Sequence, residues 1–211
     1  MSERDWKGEL ERYLQNSFAE QYRAIGQPVP LSGLRINPAL GLEESKYFLL
    51  GLETGLFQLD KESYVQSELL PAPSEGNTRQ EDCRLFCHEP LSPRFFRESV
   101  CQLATVSLLI FKRGWLKSHL LMESNIQGYR SPTDKADIMI RSITGELLVC
   151  VEVKRSVAEL QKLITDLRHV ANEEHTHKAT VVFPKIIRSS NSAPCTNQSI
   201  FGGSRLMLMS A

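Results

Sequence analysis

Two apolar runs that each carry charge, over residues 136–142 and 146–154, predict two strands joined around Thr144-Gly145. Upstream, Trp6, Leu10, Tyr13, Leu14 and Phe18 recur at helical spacing, so residues 3–24 read as an amphipathic helix capped by Ser2 and ended by Gly26. KYFLLGLETGLFQLD, residues 46–60, gives two apolar runs around Glu53-Thr54-Gly55, consistent with a hairpin, with a short helix as the other possibility. The polar stretch 71–82 is loop-like and makes the best boundary, dividing an extension over 1–90 from a core over 91–211.

Ser92-Pro93 predicts a helix start, because a serine can cap and the missing proline N–H costs nothing at a first helical position; the helix runs on to Gly114. Residues 115–124 read as a strand. After the 136–142 and 146–154 strands, Ser156 and Glu159 match a capping box, and Val157, Leu160, Leu163, Ile164, Leu167 and Val170 supply the buried stripe of a second helix. KATVVFP, 178–184, is a short strand, and RLMLMS a further one near the C-terminus. The order from residue 92 is helix, three strands, helix, strand, a mixed α/β (α+β) core with an N-terminal extension.

The two central strands carry charge where apolar residues are expected. Glu152 and Lys154 project from one face while Val149, Val151 and Val153 project from the other, and Asp137 opposes Ile138 and Ile140 in the same way. With Thr144-Gly145 as a two-residue turn, residues whose numbers sum to 289 face each other. Ile138 then meets Val151 and Ile140 meets Val149 on a continuous apolar face, and Asp137 lies opposite Glu152. Facing carboxylates repel unless a cation sits between them; Mg²⁺, which takes oxygen ligands, meets that need. Lys154, roughly 7 Å further along the strand, is placed for the attacking water or a phosphate.

Composition adds bounds. A chain of 211 residues is long enough to bury a sizeable core, no apolar run approaches the length of a membrane span, and the charged beginning MSERDWKGEL lacks a secretory signal. Five scattered cysteines form no disulfide framework; with the missing signal they give a cytoplasmic expectation. Cys83, Cys87 and His88 lack the second ligand pair of a closed zinc site. Net charge is zero, yet residues 1–92 hold nine Lys/Arg against fifteen Asp/Glu and residues 93–211 sixteen against ten, an asymmetry that can steer a polyanion.

On Asp137, the Glu152-Val153-Lys154 spacing and the element order over 92–184, the chain resembles the PD-(D/E)xK nuclease superfamily, with Ala136 standing where the literal motif has proline. Glu44-Ser45-Lys46 repeats the E-x-K tripeptide before an apolar run, so context and not the tripeptide carries the resemblance. It implies a restriction-endonuclease-like αβββαβ core and Mg²⁺-dependent hydrolysis of DNA phosphodiesters, with Mn²⁺ able to substitute, in restriction, phage defence, recombination or repair. The implied catalytic residues are Asp137, Glu152, Lys154 and, from the first core helix, Glu98, with Glu123 the next candidate; the implied metal ligands are Asp137, Glu152 and Val153.

Arg130, Lys135 and Arg155, near this site in sequence, and Gln161 and Lys162 on the second core helix are candidate nucleic-acid contacts. The acidic N-terminal half offers a surface for a protein partner or a homodimer, and no membrane is involved. The alternative is a non-catalytic module that keeps the fold and binds nucleic acid or protein.

Overall fold

The structure, a computed structural model, describes residues 4–37, 39–72, 83–89, 92–125, 135–154, 156–174, 185–187, 197–201 and 204–210. The chain divides into two compact units, Met1–Trp115 and Leu116–Ala211. Among the described residues no helix is long and apolar enough to cross a membrane.

In the first unit, α1 (Trp6–Ala24) is capped by the Asp5 carboxylate, which accepts the Gly8 N–H at 3.0 Å. Its buried stripe, Leu10, Leu14 and Phe18, follows the helical spacing of the sequence. The segment expected as a hairpin is instead α2 (Leu42–Glu53). Tyr47, Phe48, Leu49 and Gly51 are all buried, so this helix is apolar on more than one face and shows no helical period to read. Short strands β1 (Gln58–Leu59) and β2 (Val65–Gln66) pair antiparallel, as do β3 (Phe86–Glu89) and β4 (Ser92–Phe95).

β4 also corrects the expected helix start. Ser92 and Pro93 are paired in a strand, and α3 (Arg97–Phe111) begins after Phe96. The proline is tolerated because β4 belongs to an isolated two-stranded ribbon, where its missing donor interrupts no central ladder. Helices α2 and α3 pack closely at Gly51, where an added Cβ would lie 2.3 Å from the Phe57 ring and 2.4 Å from Ser107 Oγ.

In the second unit a 3₁₀ turn (Lys117–His119) occupies the front of the expected 115–124 strand, leaving β5 as Leu120–Asn125. Strands β6 (Lys135–Arg141) and β7 (Leu147–Lys154) stand within a residue of their expected bounds. Helix α4 (Val157–Glu174) follows, with Ser156 Oγ accepting the Glu159 N–H at 3.3 Å as the capping pattern requires. Then come β8 (Lys185–Ile187), β9 (Asn197–Phe201) and β10 (Ser204–Ser210), the RLMLMS strand. The expected strand at 178–184 lies outside the described residues.

These strands make one mixed sheet in the order β5-β6-β7-β10-β9-β8, in which only β7 and β10 run parallel. α4 packs against those two strands. The fold is thus mixed α and β, with a six-stranded sheet in the second unit.

Candidate functional site

The centre of the sheet is set by the β6–β7 register. Ile138 pairs with Val151, Met139 with Cys150 and Ile140 with Val149, the register expected from the apolar face. Its origin differs from the two-residue turn. Ser142 N–H donates to Glu146 C=O at 2.8 Å, so the loop is Ile143-Thr144-Gly145, with Gly145 in the left-handed region at φ 86°. Ser142 Oγ accepts the N–H groups of Thr144 and Glu146, which fixes this three-residue turn. Arg141 then pairs with Leu147, one residue off the inner register, and a bulge between Ile140 and Arg141 restores it.

One face of the sheet is apolar: Leu120, Met122, Ala136, Ile138, Ile140, Val149, Val151 and Val153 are all buried. The other holds Asp137, Glu152 and Lys154 beside buried Met139 and half-buried Cys150. Burial pushes the Cys150 thiol up to about 11, and the neighbouring Glu152 charge adds to that shift. The polar face is therefore partly desolvated at its base.

The regular β6–β7 pairing stops at Ile138 and Val151, so Asp137 and Glu152 occupy the next position of the same register. There Asp137 Oδ2 accepts the Val153 N–H at 2.5 Å. A side-chain carboxylate thus takes the amide that a carbonyl of β6 would hold in an unbroken ladder. Glu152 Oε1 accepts from Lys154 Nζ at 2.6 Å, an ion pair in which the two side chains keep 29% and 23% of their exposure. The lysine, assigned from the sequence to water or phosphate, meets a carboxylate of its own strand.

β5 adds a third acid. Its pairing with β6 passes from Met122–Ile138 to Ser124–Ala136 and skips the position between them, that of Glu123 and Asp137. Glu123, Asp137 and Glu152 therefore hold successive register positions on β5, β6 and β7. Glu123 adopts φ 47°, a conformation outside the pleat, and this takes it out of the ladder. Among the described residues no group of three or more His, Cys, Asp or Glu side chains is arranged to hold a metal ion.

The remaining candidates lie on other elements. Glu98 lies in the first turn of α3, in the first unit. Gln161 and Lys162 are exposed on α4. Lys135 is paired with Asn125 through its backbone. Arg130 and Arg155 lie outside the described residues. Val153 has a buried side chain and only its main chain to offer; the amide it gives Asp137 could not be read from residue types.

The other E-x-K tripeptide has a different fate. Glu44 is buried in the first turn of α2, where it takes the Gly41 N–H at 2.9 Å and a two-pronged ion pair from buried Arg97, with Arg97 Nη2 to Glu44 Oε2 at 2.7 Å. Cys101 Sγ lies 2.8 Å from Arg97 Nη1. This cluster joins α2 to α3 and is committed to packing.

No protein-family model matches the chain, and no curated protein matches it.

Proposed function

We propose that the chain is a metal-dependent nuclease of the restriction-endonuclease-like kind, hydrolysing DNA phosphodiesters on the polar face of β6 and β7. The observation that carries this reading is the meeting of Asp137, the Val153 main chain, Glu152 and Lys154 at the point where the two strands stop pairing. The succession α3, β5, β6, β7, α4 supports it, followed by β8 and β9 and then β10, which runs parallel to β7.

The donor set fits Mg²⁺. Two carboxylates and a main-chain carbonyl are hard oxygen donors, and Mg²⁺ is commonly held by one or two carboxylates with waters completing the octahedron. Asp137 and Glu152 supply the carboxylates and Val153 the main-chain carbonyl. When bound, the ion supplies Lewis-acid polarisation of the phosphoryl group and lowers the pKa of the attacking water. The Val153 amide holds Asp137 in a fixed orientation, which spares the site that reorganisation cost. Lys154 offsets phosphate charge and orients the water. Gln161 and Lys162 take the nucleic-acid backbone, a contact that positions without reading sequence.

A non-catalytic binding module is the second reading, favoured by the Glu152–Lys154 ion pair, which already provides that carboxylate with a counter-charge. Incubating the full chain with single-stranded, duplex and branched DNA and with RNA, in Mg²⁺ or Mn²⁺, separates the two. Cleavage abolished in Asp137→Asn and Glu152→Gln supports the nuclease; cleavage unchanged in both variants removes this site from the reaction, and absence of both Mg²⁺ binding and cleavage favours the module.

A further inference from the structure

We infer that Lys154 and a divalent cation are rival partners of the Glu152 carboxylate, so that cation binding moves the lysine off Glu152 and makes it available to a phosphate. This rests on the metal-binding reading above and adds to it an order of events, cation before phosphate, built into one strand.

The two carboxylates are anchored differently. Asp137 is held by the Val153 N–H, a neutral main-chain donor fixed by the sheet. Glu152 is held by an ammonium on a flexible stem, at 2.6 Å. The pleat permits this second contact, because residues 152 and 154 of β7 project from the same face. A cation approaching Glu152 therefore meets a positive charge carried on the same strand. Two cations held by one carboxylate repel each other whichever oxygen each takes, and the ammonium sits on the more flexible stem. Both side chains keep about a quarter of their exposure, so the released ammonium has an open route. An incoming phosphate then finds a lysine that was previously neutralised.

Two measurements on the full chain test this. Calorimetric titration with Mg²⁺ compares wild type with Lys154→Met, Lys154→Arg, Asp137→Asn and Glu152→Gln. A partly exposed ion pair corresponds to about a two- to fivefold gain in affinity on removing the ammonium. Lys154→Met is expected to bind Mg²⁺ tighter by that factor, with Lys154→Arg close to wild type. In the wild type, acylation of the Lys154 amine read by mass spectrometry is expected to rise on adding Mg²⁺ and to be high without it in Glu152→Gln. Mg²⁺ binding that is lost in Glu152→Gln, not strengthened in Lys154→Met, and without effect on Lys154 acylation overturns the inference while leaving the metal site standing. No Mg²⁺ binding by any of the five proteins overturns both. The acylation experiment needs only folded wild type and decides the matter if Lys154→Met does not fold.

Discussion

The Asp137 carboxylate replaces a main-chain carbonyl as the acceptor of the Val153 N–H, at 2.5 Å, where β6 and β7 stop pairing. One side chain thereby closes the ladder and presents an acid at its open end. The two roles separate by substitution. Asp137→Asn keeps an acceptor for the amide, whereas Asp137→Ala strands a donor on a half-buried strand, at a cost of about 1–3 kcal/mol. Denaturant unfolding should place Asp137→Ala below Asp137→Asn by that amount, while the proposed metal-dependent cleavage should be lost in both. Equal stability of the two variants would mean that water satisfies the amide.

Glu123 occupies the register position beside Asp137 and adopts φ 47°. If its carboxylate serves the site, Glu123→Gln lowers cleavage by about 10–100-fold, the range for groups that support metal ligands. Glu123→Gly should lower it equally while unfolding at a higher denaturant concentration than Glu123→Gln, since glycine relieves left-handed strain worth roughly 1 kcal/mol. Wild-type cleavage in both variants would place Glu123 outside the reaction.

What the sequence shows of this region follows from its periodicity. The β6–β7 face was legible because Ile138, Ile140, Val149 and Val151 agree on one register and a one-residue slip would bury the acids. The turn was not, because a three-residue loop with a compensating bulge yields the same inner register as the two-residue turn. α2 was read as a hairpin because burial of Tyr47, Phe48 and Leu49 together erases the 3.6-residue period. At Ser92-Pro93 local cap chemistry pointed to a helix, and pairing with His88 and Glu89 prevailed. The Asp137 and Lys154 contacts were invisible for another reason: a main-chain donor and a rotamer choice leave no trace in residue identity.

Gly51 is required by contact. An added Cβ at 2.3 Å from the Phe57 ring and 2.4 Å from Ser107 Oγ forces α2 and α3 apart or the ring off its rotamer. Gly51→Ala should therefore destabilise by about 1–3 kcal/mol, against the gain that alanine ordinarily brings to a helix interior. A thermal melt at or above wild type would show that Phe57 yields easily.

Arg97 and Glu44 are both buried, with side chains 4% and 5% exposed. Removing one partner leaves the other charge without its counter-ion in the interior. Arg97→Met is expected to cost about 3–5 kcal/mol, and the double variant Arg97→Met/Glu44→Gln less than that single change. Denaturant unfolding of wild type, Arg97→Met, Glu44→Gln and the double variant measures the coupling; strictly additive losses would show that the pair contributes nothing as a pair.

Cys101 gives the unit that holds α2 and α3 an alkaline limit. Burial pushes its thiol from 9.0 up to about 11, a shift that the Arg97 guanidinium at 2.8 Å opposes without cancelling. Between those values the unfolded chain has lost the proton and the folded chain retains it. The unfolded state therefore binds fewer protons, and stability falls as pH rises. The contribution is whole below pH 9 and is lost on passing through about 11, to the extent of roughly 2–3 kcal/mol. Unfolding free energies at pH 8 and pH 11 should differ more for wild type than for Cys101→Ala by that amount, because alanine has no proton to lose. Equal pH dependence in the two proteins would show that the thiol ionises as readily in the folded chain as in the unfolded one.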